Sequence, residues 1–216
     1  MSVKNIILVG GFANSGKTAL VLSLSEIDSF YYYEAEPRII TDPDGILSLE
    51  SALVDNWNLF QSDIAIKRFH KLTKRLNNKY LHPYFWKDVK GLFSDDFQTI
   101  TEDYINSLID FSYKGMWTGI NNPMYKIIWK INLMLNKRII KYGKPIYAAC
   151  PGEEFITTTQ NYLEQLITTP NTEGKDHYIL NEPFSSLNAT KILNYFKAAK
   201  SIIVHRDPRD SYCILI

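Results

Sequence analysis

Apolar residues along the chain alternate between short unbroken runs and longer stretches in which they recur every three or four positions. Runs at 5–10 (NIILVG), 30–33 (FYYY), 145–149 (PIYAA), 177–181 (HYILN) and 201–205 (SIIVH) predict strands. The spaced patterns predict helices over 16–26, 49–56, 62–78, 101–112, 124–142, 153–168 and 187–198. Acidic residues at Thr101-Glu102-Asp103 and Pro151-Gly152-Glu153-Glu154 mark two helix starts, and Gly143-Lys144-Pro145 marks a stop. Strands alternating with helices predict one α/β domain over residues 1–216, three-layered around a mostly parallel sheet. Residues 57–142, helical in pattern and rich in Trp, Tyr and Phe, look like a helical insertion into that domain. Its rings either pack against the sheet or line a groove for an acceptor such as a sugar. Lys67, Arg68, Lys71, Lys74 and Arg75 fall at helical spacing, either as a solvated face or as a surface for an acidic glycan.

Where the first strand passes into the first helix, the chain reads GGFANSGKT. Gly11, four residues, then Gly16-Lys17-Thr18 is the spacing of a loop that turns its backbone N–H groups onto phosphate oxygens. Asn14 and Ser15 complete the loop, Lys17 brings a positive charge, Thr18 a hydroxyl, and the helix start a favourable dipole. Near the other end, SIIVHRDPRDSY joins an apolar run to a turn at Asp207-Pro208 and a helix starting near Arg209 or Asp210, with Asp207 as its cap. Arg206 and Arg209 would thereby be delivered to the carboxyl edge of the sheet, beside the first loop, and a guanidinium fork holds a phosphate through two bonds at once.

Overall charge changes this picture little. The net charge of +1 supplies no general field for nucleic acid or an anionic surface, so any anion is bound locally. Cys150 and Cys213 form neither a disulfide framework nor a metal cluster, which predicts no metal site and a reducing, cytoplasmic setting. No stretch reaches the ~20 apolar residues of a membrane span. Asp42-Pro43-Asp44-Gly45 predicts a turn.

In order and context, GGFANSGKT and IIVHRDPRD make the chain resemble the sulfotransferase family, in its bacterial branch, whose cofactor is 3′-phosphoadenosine 5′-phosphosulfate. The resemblance implies a P-loop-type fold and transfer of a sulfuryl group from that nucleotide to an acceptor hydroxyl, as on a glycan or cell-surface polysaccharide. It assigns the 5′-phosphosulfate to Ser15, Gly16, Lys17 and Thr18, and the 3′-phosphate to Arg206. The family's second 3′-phosphate ligand, a Ser, falls on Ile214 here, and Ser211 is the replacement at hand. Because the family continues past the position of Ile216, the chain is expected to be C-terminally truncated.

The resemblance also implies a general base from YYYEAEPR, hence Glu34 or Glu36, with Arg38 as an acceptor clamp. In an extended segment these three side chains share one side. His205 is the other candidate base, although a His ending a buried strand reads more readily as packed and hydrogen-bonded. The rival reading is a P-loop kinase in which Thr18 holds Mg²⁺ and Arg206 and Arg209 are lid arginines. It requires an acid directly after an apolar strand, and Glu182 after YILN and Asp207 after IIVHR both look poorly placed. A third class is a nucleotide-binding protein without turnover.

Overall fold

Successive side chains of a strand point to opposite faces, so a strand covered on both sides must be apolar at every position. In the computed structural model, which describes residues 5–33, 36–77, 96–115, 127, 130, 131, 134, 144–184, 188–207 and 209–210, the inner strands are built this way. Strand β1 (Asn5–Gly11) turns Ile6 and Leu8 to one face and Ile7 and Val9 to the other. In β2 (Phe30–Tyr32) Tyr31 faces the first side and Phe30 and Tyr32 the second. In the strand β5 (His177–Asn181), Tyr178 and Leu180 oppose Ile179. The last strand, β6 (Ala199–Val204), is only half-buried.

These strands form one parallel sheet in the order β2-β5-β1-β6, with Ile7 opposite Ile179 and Val9 opposite Ile202. The connection leaving β1 passes β5 to reach β2, and the one leaving β5 passes β1 in the other direction to reach β6. Right-handed crossovers then put the two connections on opposite faces, opening a crevice at the carboxyl ends of β1 and β5. Helix α1 (Lys17–Ser25) lies on one face, where Val21 closes a small core with Val9 and Ile179.

The opposite face carries a much larger core. Helices α2 (Ile46–Glu50), α3 (Leu59–Leu76), α4 (Phe97–Leu108), α5 (Glu154–Thr168) and α6 (Ala189–Leu193) contribute to it, with a π-helical turn at Ser51–Asp55 extending α2. Phe69, Phe97, Phe155 and Leu8 belong to this one cluster, so α3 and α4 of the 57–142 region share their core with the sheet. Full burial of each such side chain contributes ~1.5–3 kcal/mol, which makes this face the main source of stability. Between α4 and α5, Tyr104 and Tyr162 stack at 4.1 Å and their hydroxyls bond Thr159 and Thr101 at 2.8 and 2.9 Å, leaving no polar atom of the quartet unpaired.

Several expectations shift. The run at 145–149 belongs to strand β4 (Lys144–Ala148), which pairs antiparallel with β3 (Phe111–Gly115) in a separate sheet. Helix α3 supplies the bonds that β4 lacks: Ser62 Oγ accepts from Ala149 N at 2.8 Å and Asp63 Oδ1 from Tyr147 N at 3.0 Å. The same helix starts earlier than expected because Asn58 caps it, its side chain accepting from Gln61 N at 2.9 Å. Since α4 begins at Phe97, Thr101-Glu102-Asp103 lies in its second turn and not its first. The helix expected over 187–198 shortens to Ala189–Leu193, and the one over 124–142 falls mostly outside the described residues. Among the described residues, no helix is long and apolar enough to cross a membrane.

Candidate functional site

Backbone geometry at residues 11–17 explains why this loop has the residues it has. Gly16 has φ 97°, a conformation that L side chains rarely adopt, and no neighbouring atom would touch a Cβ there, so its glycine serves the turn itself. A Cβ on Gly11 would stand 2.4 Å from the Val204 carbonyl, so only glycine allows β6 to approach the loop this closely. Ser15 is buried, and its Oγ has no hydrogen-bond partner among the described residues. A hydroxyl in that condition costs ~1–3 kcal/mol until an acceptor reaches it, and in a loop of converging N–H groups the fitting acceptor is an anion.

Lys17 begins α1 with only 7% of its surface exposed. Its Nζ donates to the Gly11 carbonyl at 3.0 Å and to Glu182 Oε1. A buried ammonium needs such pairing. Asn14, Ser15, Gly16, Lys17, Thr18 and Arg206 line one cavity of about 330 Å³. Thr18 is exposed at its rim. Arg206, just past the end of β6, donates from Nη1 to the Asn14 carbonyl at 3.4 Å, which brings the two segments side by side.

The second segment differs from expectation in other respects. β6 is an edge strand among the described residues, because its outer face gains no further strand, and His205 stands exposed at its end instead of packed and hydrogen-bonded. Asp207 does act as a cap, accepting from Arg209 N at 2.9 Å. It also takes the Arg209 guanidinium, with Nη2 at 2.6 Å and Nε at 3.0 Å, and this pairing holds the Asp207 carboxyl below its usual range. Arg209 is therefore committed within its own turn and does not line the cavity. Ser211 and Glu34 lie outside the described residues.

From Glu36 onward the chain is not the extended segment that would align Glu36 with Arg38. Arg38 N donates to the Glu36 carbonyl at 2.8 Å and Asp42 N to the Arg38 carbonyl at 2.9 Å, a turn anchored by buried Ile39 and Ile40. The next turn closes as expected, with Gly45 N on the Asp42 carbonyl at 2.8 Å. Asp42 holds Arg38 through Nε at 2.9 Å and Nη2 at 2.8 Å, so this guanidinium is already engaged and is not a free acceptor clamp.

Glu36 nonetheless reaches the site, because its carboxyl hydrogen-bonds that of Glu182. Burial pushes the Glu36 carboxyl above its ordinary range, and the Glu182 hydrogen bond and negative charge push it further, against opposing effects of Arg38 and Lys17. Glu182 is thus the residue that the sequence reading undervalued. It directly follows β5, its N–H continues the pairing with β1 by donating to Val9 O at 2.7 Å, and a φ of 56° aims it into the crevice beside Lys17. The usable signal was an acid ending an apolar strand; what hid it was the strand order, which alone puts β5 beside β1.

The arrangement combines a loop of phosphate-binding spacing, an inward cation, a second cation from another strand and a carboxyl, Glu36, of raised proton affinity, a set suited to transfer of an anionic group to a proton-bearing acceptor. Compared with protein-family models, curated proteins and solved structures, the chain has no significant match in any of the three.

Proposed function

We propose that the protein is a sulfotransferase using 3′-phosphoadenosine 5′-phosphosulfate and a hydroxyl acceptor, with a glycan as the acceptor class. The observation that carries this reading is the shared cavity, in which Arg206 from the end of β6 stands with Lys17, Ser15 and Gly16 of the loop. A ligand with two separated anionic groups matches two separated cations better than a ligand with one polyphosphate chain. The loop amides, Ser15, Lys17 and Thr18 would hold the 5′ side and Arg206 the 3′-phosphate; Arg209, bound by Asp207, would not. The bound nucleotide supplies an activated sulfuryl group on a phosphate leaving group.

Lys17 and the loop N–H groups then stabilise the negative charge that gathers on the leaving side. Glu36 accepts the proton of the acceptor hydroxyl, since its carboxyl interacts with Lys17 and its raised proton affinity suits a general base. The reading is of a cytoplasmic enzyme, in keeping with a reduced Cys150.

Calorimetry tests it. Adenosine 3′,5′-bisphosphate should bind at least ~10-fold more tightly than ADP or ATP without magnesium, because a charge-assisted contact to the extra phosphate contributes roughly 1.5–3 kcal/mol. One observation favours a second reading: Glu182 ends the strand next to the loop strand and reaches Lys17, where a P-loop kinase has use for an acid. Magnesium-dependent ATP binding without response to the bisphosphate would establish the kinase, and bisphosphate binding without turnover the non-catalytic protein.

A further inference from the structure

Lys17, Glu182 and Glu36 form a chain of contacts from three elements, α1, the end of β5 and the turn after β2, and Glu182 is its middle member. Nothing in phosphate binding requires Glu182. A carboxylate at this place competes with any anion in the loop, since it already holds the ammonium that the anion needs. Glu182 is also locked: its N–H is bonded to Val9 O, Pro183 follows, and the next residue, Phe184, is fully buried. Its backbone cannot follow Lys17 toward a ligand, whereas a lysine side chain has four rotatable carbons with which to turn away.

We propose that Glu182 is a positioning residue that couples the two ends of the site: it holds Lys17 until an anion takes it, and the carboxylate then left uncompensated beside Glu36 strengthens Glu36's hold on the acceptor proton. The role toward Glu36 rests on the functional reading above; the competition for Lys17 does not. The balance is simple. Before binding, Lys17 offsets the charge of Glu182, with which it is paired. When Lys17 turns to the anion, Glu36 holds a proton more strongly, because among the described residues the other cation acting on it is Arg38, itself bound to Asp42. Binding of an anion therefore draws a proton toward Glu36.

The test uses inorganic pyrophosphate as probe, measured by calorimetry on the full chain in two buffers of different ionisation enthalpy. Glu182→Gln should bind pyrophosphate ~10-fold more tightly than the parent chain, since Lys17 no longer has to leave a charged partner. It should also take up fewer protons on binding, with Glu182→Asp falling between. In the loaded enzyme the acid limb of the kcat profile should move to lower pH in Glu182→Gln, with slower turnover at neutral pH despite the tighter binding. A merely structural Glu182 would give weaker binding and slower turnover together. Unchanged or weaker pyrophosphate affinity in both variants overturns the inference. Tighter pyrophosphate binding without any preference for the bisphosphate would instead leave the competition standing and remove the sulfotransferase reading.

Discussion

The two anion-binding segments differ in how each keeps its cation. Lys17 is buried at the start of α1 and carries a partner, Glu182, from another strand. Arg206 is exposed at the end of an edge strand and has only a 3.4 Å contact with a loop carbonyl. Burial accounts for the contrast. An ammonium withdrawn from water must be compensated within the protein, while a guanidinium in water needs nothing. On the proposed function, the first segment would act by exchanging one partner for another, and the second by simple addition of a charge. On that function, chemistry would belong to the first and recognition to the second.

The largest effect that separates them is expected from Lys17→Ala, which should lower turnover by ~100-fold or more while nucleotide affinity, measured by calorimetry, falls less. An equal loss in both would reduce Lys17 to a binding residue. Close behind is Glu36→Gln, which keeps the shape but cannot take a proton, and should lower kcat by ~100-fold with cofactor affinity nearly unchanged. His205→Asn should stay within about threefold of the parent, because its exposed ring lies outside the carboxyl pair. The reverse pattern would move the base to His205.

Arg206→Ala should weaken adenosine 3′,5′-bisphosphate by ~10-fold or more and leave adenosine 5′-phosphate unaffected. Arg209→Ala should change either by less than about twofold, since an exposed guanidinium already bound by a carboxylate offers little to a ligand. Equal losses in the two variants would break the distinction between a free arginine and a committed one.

The smallest effect is on pH. Glu36 works as a base only when ionised, and its proton affinity is raised above the ordinary value of 4.5, so the acid limb of kcat should lie above that pH. Stability follows the same sign. The contribution of a protonated Glu36 is complete below its ordinary pKa and is lost as pH rises through the raised one, which thermal melts across that window would register. An acid limb at or below 4.5 would contradict the burial of Glu36 beside Glu182.

Several features were legible without coordinates. The loop at Gly11–Thr18 is local: its glycines, charge and hydroxyls are set by adjacent residues, and a run of five apolar or small residues leads into it. The central strands were equally plain, because residues covered on both faces are apolar at every position whatever their neighbours. The Asp207 cap also follows from neighbours in the chain. By contrast, the membership of 145–149 in a second sheet depended on the antiparallel partner at Phe111–Gly115 and on Ser62 and Asp63 from α3, all distant in sequence.

The sequence by itself determined the parallel α/β class, the phosphate loop and the arginine-bearing turn, since each rests on residues a few positions apart. Only the tertiary structure decided that Arg206 meets the loop while Arg209 and Arg38 are held by carboxylates, and that Glu182 stands between Lys17 and Glu36. The physical reason is the strand order. Placing β5 between β2 and β1 brings the ends of three separate segments into one crevice, and no local pattern records which strand will lie beside which.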